Sequence, residues 1–302
     1  MLAALAAAPL NLRAAIVRPP GLIIDTHVHL FSSDLQRFPF STNAPYRPAA
    51  APLEPYLAFL RESKIDGAIL VHPEPYQDDH SYLEYCFAHE SKKGLFKGTC
   101  LFDPVAPDTP ARMEALVKRN PGRIVALRIH EVAAPGSAPT HSGAITSRDM
   151  RDPAMSRTWA KAQELGLAIQ MHFLPYYAPQ IGELARRHPG IPIILDHLGR
   201  AGIGTSEEYK EVLALGKLPH TYMKISGLGY SSKEKAPFRD VRPMVMRAYQ
   251  AFGPDRLLWG GLGYNMAEFE TAIETFDTMF DGIAESDKAK IRGLNAKTLF
   301  HW

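Results

Sequence analysis

The sequence predicts a (β/α)8 barrel, and three observations carry that expectation. Short apolar runs alternate with amphipathic stretches along the 302 residues; the runs are apolar almost throughout; and there are eight strand–helix units at regular spacing. Continuous apolarity marks strands covered on both faces of a parallel sheet. Eight such units suit a barrel that typically takes about 250 residues. A doubly wound open sheet is the alternative, but it would place a Gly-rich phosphate turn after the first strand. Here that turn reads His27-Val28-His29.

Taken in order, the strand Leu22–Thr26 leads through a Pro-, Ser- and Ala-rich loop, Leu30–Pro52, to the helix Glu54–Ser63. Strand Gly67–His72 precedes helix Ser81–Ser91, and strand Phe96–Phe102 precedes helix Pro110–Arg119. Strand Ile124–Ile129 is followed by a second long loop, Glu131–Asp152, and helix Ala154–Leu165. Strand Leu167–His172 pairs with helix Tyr177–His188, and Ile191–Asp196 with Glu207–Leu215. Strand Thr221–Ser226 precedes helix Arg239–Phe252, Leu257–Trp259 precedes Met266–Ile283, and Asp287–Phe300 closes the series. Both long loops follow strands, so in a barrel they lie at the C-terminal face as lids or substrate walls.

The composition is that of an ordinary globular chain, 46% apolar and 22% charged, with a formal net charge of +2. So small an excess implies neither a nucleic-acid partner nor a membrane surface, and the expected partner is a small-molecule substrate. The 25 prolines gather at segment ends, as structured loops require. Cys86 and Cys100 lie in apolar stretches and read as buried thiols, too few for a disulfide framework. Residues 1–20 read as an N-terminal extension or the remnant of an export signal, and 21–302 as the barrel. The apolar start has no basic region before it and is too short to span a bilayer, so no stable membrane insertion is expected. The expected location is the cytoplasm, or the periplasm if the first residues are what is left of a signal.

Polar residues concentrate at the predicted strand ends, which a barrel directs to one mouth. His27 and His29 follow the first strand; residues i and i+2 of a strand share a face, so both imidazoles leave it together. His72 ends the second strand, Arg128 and His130 belong to the fourth, His172 ends the fifth, Asp196, His197 and Arg200 follow the sixth, and Lys224 and Ser226 belong to the seventh. Buried imidazoles and lysines without partners are unfavourable, so their concentration in apolar strands asks for a chemical reason. Neutral imidazoles suit a catalytic Zn²⁺ with an open water position. The same imidazoles can instead polarise a carbonyl directly, with Arg128, Arg200 or Lys224 holding an anion. Asp196 reads as a carboxylate orienting a neighbouring His, or as a loop cap.

Asp25-Thr26-His27-Val28-His29-Leu30-Phe31 resembles the first-strand signature of the amidohydrolase superfamily. Asp196-His197-Leu198-Gly199-Arg200, with the segments 222–228 and 295–300, resembles its "amidohydrolase 2" branch, which includes pyrone-dicarboxylate lactonases, sugar lactonases and, more distantly, decarboxylases of amino-carboxymuconate type. The resemblance implies a (β/α)8 barrel and a hydrolase acting on a lactone-like or carboxylated ring compound, with one divalent metal (Zn or Mn) or with none. By position, His27, His29, His172 and His197 match the catalytic histidines, and His27, His29 and His172 the metal ligands.

One segment departs from that pattern. The branch usually ends its eighth strand Trp-Gly-Ser/Thr-Asp, the Asp serving as general base; here Trp259-Gly260-Gly261-Leu262 stands there. Leucine neither accepts a proton nor binds metal, and losing a positioned base typically lowers the rate about 10²–10⁴-fold. Three readings follow: chemistry relocated to Asp196, His72 or Glu268, or a lyase step needing no base; a ligand-binding pseudoenzyme; or a deliberately altered or degenerate sequence. Tyr264 and Asn265, beyond the changed loop, are candidates for substrate contact.

Overall fold

Eight strands form in the expected order: β1 (Ile24–Val28), β2 (Gly67–Leu70), β3 (Phe96–Cys100), β4 (Ile124–Glu131), β5 (Ala168–Phe173), β6 (Ile193–Leu195), β7 (Thr221–Ile225) and β8 (Leu257–Trp259). They build one parallel sheet in sequence order, β1 to β8, curled into a barrel. Between them lie α1 (Leu53–Ser63), α2 (Ser81–Ala88), α3 (Thr109–Arg119), α4 (Pro153–Glu164), α5 (Ala178–Arg187), α6 (Ser206–Ala214), α7 (Arg242–Phe252) and α8 (Met266–Met279). The structure, a computed structural model, describes residues 17–138, 145 and 147–302. The first sixteen residues of the expected N-terminal extension, and the middle of the loop after β4, lie outside the described residues.

In-register partners share a face, so the pairs Ala126↔Ala168, Arg128↔Gln170, His130↔His172, Gln170↔Ile194 and Lys224↔Leu258 define the barrel's inside. That inside is layered. Ile24, Ile69, Val71, Ala126, Ala168, Ile194 and Leu258 fill the lower part, with Ala296 and Phe300 packed against them. The polar residues occupy the upper part. The opposite faces, including Leu70, Leu127, Met171, Leu195 and Met223, pack under the helices in a separate core. Both sheet faces are thus apolar below the mouth, which is why the strands read as continuous apolar runs.

Helix starts follow local chemistry. Asp152 accepts from Ala154 N at the head of α4, Thr205 and Glu208 form a reciprocal capping box on α6, and Asn265 accepts from Glu268 N on α8. The chain beyond α8 differs from the single helix expected over Asp287–Phe300. It is α9 (Glu285–Ala289), a π turn at Lys290–Leu294 and α10 (Asn295–Leu299). The wide turn frees Asn295, whose Nδ2 donates to Pro254 O (2.7 Å) and Leu257 O (2.8 Å). Arg292, almost fully buried, donates to Pro20 O and pairs with Glu285. The loop Leu30–Pro52 is packed: Phe31, Phe38 and Phe40 are buried and bridge to Tyr76 and Tyr82. Cys86 and Cys100 are buried and unpaired, as expected. No helix among the described residues is long and apolar enough to cross a membrane.

The seam between β8 and β1 is closed by side chains. Thr26 Oγ1 donates to Trp259 O at 2.7 Å, and Lys224 Nζ to Thr26 O at 2.9 Å. Asp25, with no exposed surface, accepts from Gly261 N (2.8 Å), Leu262 N (3.1 Å) and His27 N (2.9 Å). A β-bulge between Asp25 and Val28 makes this possible. It turns Asp25 toward β8 while His27 and His29 face the mouth. Gly260 is required here, since a Cβ would lie 2.7 Å from Thr26 Oγ1 and 2.8 Å from His27 N. Burial pushes the Asp25 carboxyl up to about 6 despite these donors. Replacing it by Ala leaves its N–H partners without an acceptor, each worth roughly 1–3 kcal/mol when buried, against relief of the buried charge. Asp25→Ala is expected to lose about 2–4 kcal/mol of stability in urea unfolding.

Candidate active site

The strand ends surround an open cavity of about 600 Å³ whose walls include His27, His29, Arg128, His130, His172 and His197. The centre beneath it is Asp196, at the end of β6 and fully buried. Its Oδ2 accepts from Gln170 Nε2 (3.0 Å) and Arg128 Nε (3.3 Å). Its Oδ1 lies 3.2 Å from Lys224 Nζ and 3.7 Å from His27 Nδ1. Burial alone would raise this carboxyl, but Lys224, His27 and Arg128 outweigh it and hold the group well below the usual carboxylate range. Asp196 is therefore a structural anion tying four strands together.

These partners settle which nitrogen of each imidazole carries its proton. Arg128 Nη2 lies 3.1 Å from His172 Nδ1. A guanidinium only donates, so Nδ1 accepts and the proton of neutral His172 sits on Nε2. That Nε2 is buried and has no hydrogen-bond partner among the described residues. His29 is the reverse: its Nδ1 lies 2.7 Å from Val71 O. A carbonyl only accepts, so Nδ1–H donates and Nε2 carries a lone pair. His27 Nδ1 lies 3.7 Å from Asp196 Oδ1, beyond a hydrogen bond, and its Nε2 lies 3.3 Å from His29 Nε2. Because His29 Nε2 carries the lone pair, His27 Nε2–H donates to it. His197 bonds Ser226 Oγ through Nδ1 at 3.0 Å, and its ring lies 4.5 Å from that of His27 and 4.9 Å from that of His172.

Burial holds all four imidazoles neutral. It pushes His29 and His197 down to about 3, with Arg128 adding to the effect, and His27 and His172 well below their ordinary value. Two cations, Arg128 and Lys224, stand beside the Asp196 carboxylate.

The turn after β6 is backbone-strained. His197, Leu198, Gly199 and Arg200 have φ of 55°, 55°, 60° and 51°, four consecutive left-handed residues. L-residues there cost roughly 1–2 kcal/mol each, and Leu198, fully buried, anchors the turn in the core. The turn points His197 into the cavity and sends Arg200 outward, 4.8 Å over the ring of Tyr230.

The other expected site residues fall in different places. Tyr264 lines the cavity, but its hydroxyl donates to His29 O at 2.7 Å. Asn265 caps α8 and does not line the cavity. Lys224 lies beneath the floor with no exposed surface. His72 is outside the cavity, its Nε2 bonded to Gln77 O at 2.9 Å. Glu268 is at the wall, where its carboxylate accepts from Tyr264 N and Asn265 Nδ2, both at 2.8 Å. Leu262 is fully buried in the core behind the sheet, and glycines 261 and 263 border the cavity instead. Sequence reasoning missed Tyr46, from the loop after β1, and the Glu74 carboxylate that pairs with Arg148 (2.7 Å) and faces His130 (3.3 Å). No spacing signal joins positions so far apart in the chain.

Among the described residues His27, Asp196 and His197 place ligand atoms within 4.8 Å of one another, a cluster that could hold a metal ion.

Two outcomes follow from this geometry. His29 and His197 titrate near 6.5 when unfolded and near 3 when folded, so between those values the unfolded chain binds more protons. Stability is therefore expected to fall as pH drops from about 6.5 toward 3, Asp25 partly offsetting this between about 4 and 6. A His197→Asn variant should show a shallower acid limb in urea midpoints. Leu262→Asp should bury a second carboxylate beside Asp25, lowering the melting temperature and giving no gain in turnover.

The sequence profile of the family described as "Amidohydrolase" matches residues 24–302. A 4-sulfomuconolactone hydrolase from Rhizobium radiobacter is 29% identical over 243 residues, 78% of this chain and 73% of that protein. A provisionally assigned 2-pyrone-4,6-dicarboxylic acid hydrolase from Pseudomonas putida superposes with a TM-score of 0.74 at 21% identity, covering 93% of this chain and 97% of the other. An amidohydrolase from Burkholderia multivorans solved with bound zinc gives 0.72 at 16% identity, covering 93% and 99%.

Proposed function

The chain belongs to the amidohydrolase family, and on that footing we propose that it hydrolyses a small anionic lactone without a metal, with His172 as hydrogen-bond donor to the carbonyl and His29 as proton acceptor. The observation that carries this reading is the pair of opposite tautomers facing one cavity. The Arg128 guanidinium on the cavity wall and the sulfonated lactone named for the Rhizobium radiobacter relative support an anionic substrate.

The chain's residues do not fit a metal well. His172 cannot ligate, because Arg128 occupies Nδ1 and the proton occupies Nε2. A cation between His27, Asp196 and His197 would sit close to the Lys224 ammonium, itself 3.2 Å from the same carboxylate oxygen. Two like charges so close in a buried site repel strongly.

In the proposed reaction Arg128 draws the substrate carboxylate or sulfonate into the mouth. The lactone carbonyl oxygen accepts from His172 Nε2–H, and a water lies against His29 Nε2, which His27 Nε2–H helps to position. His29 takes one proton as the hydroxide oxygen bonds to the carbonyl carbon, and the oxyanion is held by His172. The Asp196 charge favours the imidazolium that forms on His29. Collapse restores the carbonyl, breaks the ring C–O bond, and returns the proton to the leaving alkoxide, giving a hydroxy acid. Histidine here takes the part that the eighth-strand carboxylate plays elsewhere in the branch. Lys224 is a positioning residue acting through Asp196, and Arg200 stands behind Tyr230 at the rim.

His172→Gln and His29→Asn should each lower kcat/KM for a muconolactone-type substrate about 10²–10³-fold. With imidazoles already neutral, kcat/KM should stay flat from about pH 5 to 8. Dialysis against a chelator should leave turnover unchanged. Loss of activity on chelation, restored by zinc, overturns the metal-free mechanism.

A further inference from the structure

Beside the polar mouth lies a second cavity, of about 160 Å³, between the loop after β7, the end of β8 and α8. Its walls include Leu228, Phe238, Trp259, Ala272, Phe276 and Met279, and Trp259, Phe276 and Met279 are almost fully buried. Ser226, Gly227, Gly261 and Glu268 line both this cavity and the mouth.

We propose that this cavity is a substrate subsite taking an apolar limb, a short alkyl chain or a phenyl ring, carried by the lactone whose ring sits among the histidines. The proposal rests on the hydrolase reading above. Three facts on the molecule support it. The recess, open on one side, has a volume close to the roughly 150 Å³ in which a protein can hold benzene. The walls are aromatic and aliphatic, the lining that buries an apolar group best. The partition is thin because it is made of small residues: Gly261, at φ 79°, has only Ser226 Cβ within 4 Å of where its own Cβ would be, at 3.8 Å. The altered segment after β8 therefore does more than lack a carboxylate; it leaves the wall between the two cavities low. A substrate with its carbonyl at His172 can send a limb over that lip.

Burying a methylene is worth about fourfold in binding at the usual transfer value. The test uses γ-lactone carboxylates bearing hydrogen, methyl, propyl or phenyl, with the intact protein. The expected result is kcat/KM rising about fourfold per added carbon up to phenyl size, and an Ala272→Phe variant that loses this rise while turning over the unsubstituted lactone normally. A flat series in the wild type overturns the subsite and leaves the hydrolase reading standing. Saturating benzene supplies a readout independent of turnover: it should raise the melting temperature of the wild type and not that of Ala272→Phe. If no lactone is hydrolysed yet benzene stabilises only the wild type, the subsite stands and the hydrolase reading fails. Absence of a benzene shift in the wild type counts against the subsite, including where Ala272→Phe does not fold.

Discussion

The Asp196 carboxylate, stripped of water at the end of β6, needs positive and donor groups around it, and the barrel's interior is arranged to supply them. Lys224 and Arg128 neutralise it, and Gln170 and His27 complete its surroundings. Removing one partner of such a buried cluster leaves a charge with inadequate compensation, commonly a loss of about 3–5 kcal/mol. The cluster also transmits order outward. Arg128, fixed through Nε on Asp196, has Nη2 left for His172 and so decides where that imidazole keeps its proton. Lys224, fixed on the same carboxylate, reaches Thr26 O and holds the strand that carries His27 and His29. A carboxylate beneath the cavity floor thus sets the chemical identity of the groups that line the cavity.

Much of this molecule is legible in the sequence. A strand buried on both sides has to be apolar throughout, so all eight strands stand out, and polar residues at their ends have only the mouth to point to. That logic places His27, His29, Arg128, His172 and His197 around one cavity. It fails where the backbone leaves its regular period. Parity along β1 would put Asp25 on the same side as His27, and the bulge removes it to the seam. Lys224 shares the inner face with the site residues, yet depth along the strand, which the pattern does not encode, puts it under the floor. Asn265 is a helix cap, and its short side chain is spent on that task. The left-handed turn after Asp196 contains two bulky residues and a histidine, with Gly199 as the one hint of its conformation.

The segment after β8 shows how position and role can separate. The Leu262 backbone is held by Asp25 from the opposite edge of the sheet, and the leucine side chain goes to the core. The flanking glycines give the mouth space in place of a functional group. His29, just beyond β1, has its Nδ1 committed to Val71 O and so keeps an acceptor nitrogen at the mouth. The same vacancy brings an apolar recess within reach of the polar mouth, so one local change bears on both proton transfer and substrate shape.

The seam between the first and last strands has a temporal meaning. Asp25 and Leu262 are 237 positions apart, so during synthesis the histidine pair leaves the ribosome long before the segment that closes the ring around it. Until β8 arrives, Thr26 Oγ1 lacks the Trp259 carbonyl, Asp25 lacks the Gly261 and Leu262 amides, and one side of the mouth is missing. The segment that closes the mouth is thus among the later parts of the chain to be made, followed only by the α8 to α10 segment that packs beside and beneath the barrel.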